Sequence, residues 1–291
     1  LKKIAAVSVL FLILLCSCAS GPEPVPAFSV TAGGLEVHFI DVGQGDCILL
    51  KNADSSVLID AGSDEESDKV LSYLRSAGIA TLTVAVGTHP HEDHIGSLDE
   101  VIDAFSPETV VMPKVSANTK AFENVLDAVS AQNKKIKAAK TGLVLEVGEL
   151  SLSFLSPPQD SGFDNLNDYS AVISVTYAGK TFLFCGDAER PAEERMLEGG
   201  QNVKCDVLKV GHHGSSTSTT GEFLKAAAPQ YAVISVGAKN SFGHPAKAVL
   251  RRLSDAGAEV YRTDRNGDIV FTVSPEGRLE VRLKKGEQNA A

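Results

Sequence analysis

His89-Pro90-His91-Glu92-Asp93-His94 puts three imidazoles and two carboxylates into six residues, in a chain of 291 that holds seven histidines in all. A solvated polar loop rarely concentrates histidine in this way. The stretch follows a β-type run, Thr83–Thr88, and precedes a helical pattern that begins at Gly96 and runs to Phe105. Loops that leave the carboxyl end of a strand for a helix are where α/β proteins carry their sites. Neutral imidazole and carboxylate are the donors that Zn²⁺ and related divalent ions take. In a bend, His89 and His91 can face one ion while Asp93 and His94 face a neighbouring one.

Outward from this stretch the chain alternates short apolar runs with helical patterns. Leu35–Ile40, Cys47–Leu50 and Val57–Asp60 read as strands, with Gly43 and Gly45 turning the chain after the first. Glu66–Ala77 reads as a helix, Thr109–Met112 as a strand and Ala121–Gln132 as a helix. The second half repeats the theme. Glu149–Leu155, Ala171–Tyr177, Lys180–Cys185, Cys205–Val210 and Tyr231–Ser235 are expected strands, and Val260–Thr263, Ile269–Ser274 and Leu279–Leu283 close the series. Helices are expected at Pro191–Leu197, Glu222–Ala227 and Ala246–Ala256, and Asn266-Gly267 is a turn signal. Strands with interleaved helices in both halves predict an α/β protein with mixed sheets covered on their outer faces. No Gly-x-Gly-x-x-Gly follows the first strand, which excludes a dinucleotide-binding reading. No Gly-x-Ser-x-Gly occurs either, which argues against a serine hydrolase.

The ends read differently. Lys2 and Lys3 precede an apolar run, Ile4–Leu15, that is shorter than the roughly 20 residues a membrane helix needs. This is the pattern of a secretory signal. Leu15-Cys16-Ser17-Cys18 resembles the bacterial lipoprotein processing box, which implies cleavage before Cys18 and a lipid on its sulfur. Gly21, Pro22, Pro24 and Pro26 suit an extended tether. The reading therefore divides the chain into a leader (1–18), a tether (19–34), one domain (35–284) and a polar tail (285–291), held outside a bacterial cytoplasmic membrane by a lipid anchor alone. The formal charge is −10, and losing Lys2 and Lys3 with the leader makes the remainder more acidic. Such a surface disfavours non-specific polyanion binding, which needs Lys and Arg to displace counterions. Cys47, Cys185 and Cys205 are odd in number and lack metal-ligand spacing, so no disulfide framework is expected.

The motifs taken together resemble the metallo-β-lactamase superfamily. His89-x-His91-x-Asp93-His94 is similar to its metal signature, Leu58-Ile59-Asp60-Ala61-Gly62 to its first motif, Phe184-Cys185-Gly186-Asp187 to the strand end that bridges two metals, and Val210-Gly211-His212-His213-Gly214-Ser215 to the motif with a last histidine. Phe39-Ile40-Asp41-Val42-Gly43-Gln44-Gly45-Asp46, Asn167-Asp168-Tyr169-Ser170 and Ser241-Phe242-Gly243-His244-Pro245 further resemble the hydrolase domain of ComEC-type competence proteins. That domain accompanies many membrane helices in those proteins. The resemblance implies an αββα sandwich of two mixed β-sheets with outer helices.

It also implies a ligand set: His89 and His91 on a first metal, Asp93, His94 and His212 on a second, and Asp187 on both. Asp60 becomes a brace behind the ligands, and Asp93 and His244 the catalytic candidates. His213 and Ser215 are candidates for substrate or loop contacts. No histidine lies between His94 and His212 to complete the first metal; Asn167, Asp168 and Ser170 occupy that slot instead. Two divalent ions, Zn or Mn with Fe admissible, would make a bound water acidic enough to attack as hydroxide. The expected function is a phosphodiesterase or nuclease acting on a phosphoester outside the membrane, single-stranded DNA among the candidates. The alternatives are a cell-envelope esterase of the phosphorylcholine or teichoic-acid type and a non-catalytic binding protein on the same fold. Asp187 stands where the best-known zinc β-lactamases carry Cys, so antibiotic hydrolysis is not expected. No protein partner is inferred.

Overall fold

The computed structural model describes residues 33–284. The leader, Cys18, most of the tether and the polar tail lie outside the described residues.

Two mixed sheets face each other. The first has eight strands: β1 (Leu35–Phe39), β2 (Cys47–Lys51), β3 (Ser56–Ala61), β4 (Val84–Val86), β5 (Thr109–Pro113), β6 (Ile136–Ala139), and β14 (Ile269–Val273) and β15 (Leu279–Leu283) from the far end of the chain. Their order is β15-β14-β1-β2-β3-β4-β5-β6. The second has seven: β7 (Val144–Val147), β8 (Leu150–Ser156), β9 (Val172–Tyr177), β10 (Lys180–Phe184), β11 (Val207–Lys209), β12 (Tyr231–Ile234) and β13 (Glu259–Arg262). They run β13-β12-β11-β10-β9-β8-β7.

Helices α1 (Ser67–Ser76), α2 (Glu92–Ile95), α3 (Leu98–Phe105) and α4 (Lys120–Ala131) belong to the first half. Helices α5 (Arg190–Glu198), α6 (Gly221–Ala227), α7 (Lys247–Asp255) and the single turn α8 (Thr263–Asn266) belong to the second.

Strand alternation builds the layers. In β1, Leu35, Val37 and Phe39 enter the core between the sheets, where Phe154, Phe182, Phe184 and Phe271 also pack. Full burial of each such ring is worth about 1.5–3 kcal/mol. The opposite faces carry Leu49, Leu58 and Ala85 against α1, α3 and α4. On the second sheet Leu183, Leu208 and Ala232 pack against α5, α6 and α7. Three apolar layers thus separate four structural ones, giving the expected αββα sandwich.

The elements depart from the sequence reading in three places. Strands β6 and β7 were not expected. Both are short edge strands, and their half-exposed faces carry Lys137 and Glu146, which blunt the apolar signal. The helix expected from Gly96 is preceded by a separate turn, α2, inside the metal-type cluster. Asn266-Gly267 turns the chain, but not as a hairpin: β13 pairs with β12 in one sheet and β14 with β1 in the other. The residues after Arg262 are the crossing between layers.

Strand directions bring the site together. Strands β3, β4, β5 and β6 run parallel to one another, and so do β10, β11, β12 and β13. The histidine cluster follows β4, Asp187 follows β10, and His212 and His213 follow β11. Asp60 lies near the end of β3, and the loop after β1 carries Asp46 to the same edge.

Candidate metal centre

Four of the five histidines around the centre, all but His91, are held from behind by a partner on the outward-facing nitrogen. Thr88 donates its hydroxyl proton to Asp60 Oδ2 at 2.7 Å, so its oxygen can only accept from His89 Nδ1, 3.1 Å away. His89 Nε2 is then unprotonated and lies 3.8 Å from Asp187 Oδ2. His94 Nδ1 faces Asp60 Oδ2 at 2.7 Å, which leaves Nε2 3.2 Å from Asp187 Oδ1. His213 Nδ1 donates to the carbonyl of Ser235 at 3.0 Å, turning Nε2 toward Asp93 Oδ2 (3.2 Å) and Asp187 Oδ1 (3.5 Å). His212 Nδ1 meets Glu189 Oε1 at 2.9 Å, and its Nε2 lies 3.6 Å from Asp187 Oδ2. His91 presents Nδ1, 3.0 Å from His89 Nε2.

Two donor sets therefore share Asp187. His89 and His212 face its Oδ2, with His91 against His89, and His94 and His213 face its Oδ1, with Asp93 against His213. The sequence reading grouped His212 with Asp93 and His94; the ring that lies beside those two is His213, while His212 lies between Glu189 and Asp187 Oδ2. The cause is local backbone: His212 (φ 48°), His213 (φ 52°) and Gly214 (φ 80°) are all left-handed, so adjacent rings swing to opposite sides of the carboxylate. Left-handed non-glycine residues cost about 1–3 kcal/mol each and persist where the surroundings enforce them.

The donor set fits divalent cations. His94 Nε2, His213 Nε2 and Asp187 Oδ1 are buried and have no hydrogen-bond partner. Buried polar atoms are normally satisfied, and these three converge from different strands on one point. Groups of His89, His94 and Asp187, and of Asp93, His94 and His213, have donor atoms within 4.8 Å of one another. Asp46, Asp60 and His94 form a third close group, in which Asp60 holds Thr88 and His94 and Asp46 Oδ2 holds Lys209 at 2.8 Å, while Asp46 Oδ1 has no hydrogen-bond partner.

Electrostatics follow the geometry. Burial opposes charge on Asp187, but His94 and His213 outweigh it and hold its carboxyl well below the usual range. Burial likewise opposes a proton on His213, yet Asp187, Asp46 and Asp93 push its pKa up to about 9. His94 is raised in the same way by Asp187 and Asp60. His89 goes the other way, lowered by burial and by the neighbouring His94.

The remaining expected residues have distinct placements. Asp60 (φ 59°) accepts from Thr88 N and Oγ1 and faces His94, a brace behind two donors. Ser170 Oγ lies 3.4 Å from His89 Nδ1 and accepts from Asp187 N at 3.0 Å. Asn167 donates to Glu189 Oε1 at 3.1 Å and so steadies the group that orients His212. Asp168, placed by the sequence reading with Asn167 and Ser170 in the slot of the missing histidine, accepts from Glu189 N and Ala192 N at the start of α5. Ser215 was a substrate candidate, and its hydroxyl pairs with Thr217 within its own loop. His244 is half-buried, its ring 5.6 Å from that of His212.

Five supporting residues were missed, among them Thr88 behind His89 and Ser235 behind His213. Glu189 orients His212. Asp46 and Lys209 form an enclosed ion pair, with Asp46 Oδ1 3.5 Å from His213 Nδ1. A lysine inside the apolar run Val207-Leu208-Lys209-Val210 was the available signal, because burying a charge requires a partner.

A fold of this kind, ending in a shared carboxylate flanked by two histidine sets, defines a metal-dependent hydrolase. The chain belongs to the metallo-beta-lactamase superfamily, whose family model matches residues 40–238. Among its curated relatives are ComE operon protein 3 of Bacillus subtilis (strain 168), 32% identical over 91% of this chain and 35% of that one, and competence protein ComA of Neisseria gonorrhoeae, 30% identical over 90% and 35%. The chain thus spans about a third of the length of these relatives and is related to competence proteins through that part. Among solved structures, the metallo-beta-lactamase fold protein YhfI from Bacillus subtilis shares the fold, with a TM-score of 0.50, 15% identity, and coverage of 86% of this chain and 100% of that one. Among the described residues no helix is long and apolar enough to cross a membrane.

Proposed function

We propose that the chain is a two-metal phosphodiesterase that cleaves single-stranded nucleic acid outside the cytoplasmic membrane. The observation that carries this reading is Asp187, whose two oxygens each face a separate set of histidines. His89, His91 and His212 would hold one divalent ion and Asp93, His94 and His213 the other, with Asp187 common to both. When bound, such ions acidify water and neutralise charge on a phosphoryl oxygen.

The chain's own residues do the positioning. Asp60, Thr88, Ser235 and Glu189 fix which imidazole nitrogen faces inward, so the donors need no rearrangement. Burial, with His212 and His213, holds His244 below the usual histidine pKa. As a neutral imidazole beside His212 it is suited to donate a hydrogen bond to a non-bridging phosphate oxygen. Similarity to competence proteins supports a nucleic-acid substrate. The apolar segment ahead of Cys18 supports lipid tethering outside the membrane.

The net charge of −10 favours a second reading, an esterase of a cell-envelope phosphoester such as phosphorylcholine. A panel with Mn²⁺ or Zn²⁺ decides between them: single-stranded DNA, bis-p-nitrophenyl phosphate and p-nitrophenylphosphorylcholine. The first two are expected to turn over. Asp187→Ala should lower that turnover by at least about 100-fold, since even residues that merely orient metal ligands cost 10- to 100-fold. Metal-loaded protein that leaves the single-stranded DNA and bis-p-nitrophenyl phosphate intact overturns the proposal.

A further inference from the structure

Phe242 is 67% exposed, more than any other large hydrophobic side chain among the described residues. Single apolar residues on a surface are ordinary, and Leu126 on α4 and Val144 on the edge strand β7 are of that kind. The setting of Phe242 differs. Its ring lies almost parallel to that of His244, with planes 19° apart and centroids 5.8 Å apart. The His244 ring in turn stands edge-on to His212, a member of the metal cluster. Three rings therefore lead from the metal centre outward, and the last of them, Phe242, is open to solvent.

The loop that carries Phe242 is fixed rather than loose. Asn240 Nδ2 donates to the carbonyls of Gly237 and His244, both at 2.8 Å, and Asn240 Oδ1 accepts from His244 N at 3.0 Å. Gly237 N reaches Gln44 Oε1 at 3.2 Å, and Ala246 N reaches the carbonyl of Gly214 at 2.8 Å. The ring is thus held at the rim by polar clamps while its apolar surface stays wet. A partner that covers it meets a group that is already ordered, which lowers the entropic cost of contact.

We infer that Phe242 is the stacking platform for an unpaired nucleobase next to the cleaved phosphodiester. Aromatic side chains on which successive bases stack are how proteins hold single strands, and the contact is tolerant of sequence. An acidic protein gains little from neutralising the phosphate backbone, so stacking supplies binding that its charge cannot. A quaternary ammonium group would call for a cage of several rings. Among the described residues the one ring beside Phe242 is His244, which leaves a flat surface for a flat partner. Phe242 is on this view a specificity residue, and the inference rests on the phosphodiesterase reading.

The test compares an intact single-stranded oligonucleotide with one carrying abasic tetrahydrofuran units around the scissile linkage. Wild-type enzyme should prefer the intact strand by about 5- to 150-fold in kcat/KM, expressed in KM, the range typical of one base stacked on an aromatic residue. Phe242→Ala should abolish that preference and Phe242→Trp should keep it. A 2-aminopurine placed at the same position should change its fluorescence on binding to wild type and Phe242→Trp but not to Phe242→Ala. The inference is overturned if wild type treats both strands alike, or if Phe242→Ala retains the preference. Metal-loaded wild type that cleaves neither strand removes the phosphodiesterase reading itself.

Discussion

Lys209 has no exposed surface, and its ammonium reaches only Asp46 and the carbonyl of Val210, both at 2.8 Å. Burial alone would push the Asp46 carboxyl up; Lys209 first, then His213, bring it down to about 2. Buried pairs of this kind are costly to break because one charge is left stranded, typically by about 3–5 kcal/mol. Lys209→Met should therefore lower the unfolding free energy measured by urea titration by an amount in that range, whereas Asp46→Leu/Lys209→Met together should recover most of it. A double variant no more stable than Lys209→Met would show that the pair is not what the single change disrupts. The same residues mark where sequence reading stopped. His89 to His94 are legible because their spacing in sequence is their spacing in space. Lys209 and Asp46 meet only after two distant strands come together. His212 and His213 are visible as a pair, but which ring faces which side is decided by left-handed φ values that the residue types do not announce.

At the scale of elements, the metal loop depends on a neighbouring backbone as much as on its own. Asp46 N donates to the carbonyl of Asp93 at 3.2 Å, and the residue before it, Gly45, has φ +145°. A Cβ there would lie 2.4 Å from that same carbonyl oxygen. Gly45→Ala must push the loop after β1 off the histidine loop, and Asp46 with it. Metal affinity, measured by competition with a chelator, should fall by about 10- to 100-fold, as for other losses behind a ligand shell. Gly142→Ala is the control: that residue also has positive φ (+83°) but meets nothing within 4 Å. Equal affinities for the two variants would count against this coupling. Long central strands were readable from alternation and apolar runs. The edge strands β6 and β7 were not, because an edge has one pairing partner and needs less apolar surface.

Across the whole molecule, the centre makes metal-free stability depend on pH in two directions. Asp46, Asp93 and Asp187 have depressed pKa values in the folded chain. Their stabilisation is present above the unfolded carboxylate value of about 4 and is lost as pH falls through the folded values. His94 and His213 have raised values, so theirs is full below the unfolded histidine value of about 6.5 and fades as pH climbs, for His213 through about 9. These five groups favour the chelated protein most between about pH 4 and 6.5, and the lowered values of His89 and His91, which cost stability as pH falls below the unfolded histidine value of about 6.5, draw the optimum toward the upper end of that window. Bound metal replaces those protons, so its stabilising effect should grow from pH 6.5 to 9. Melting temperatures with and without chelator across this range provide the measurement; parallel curves would be the contrary result.

Strand β1 also gives the domain a front and a back. Leu35 pairs with Val273 at one edge of the sheet, and Phe39 pairs with Ile269 at the other, where the chain turns into the metal loops. Leu283 pairs with Ile269 too, so β15 finishes on that same edge. Five residues of strand amount to roughly 17 Å. A segment joined ahead of Gly33 therefore enters the domain at the edge opposite the metal loops. A label or fusion joined after Lys284 leaves from the same edge of the sheet as the metal loops, at its outermost strand.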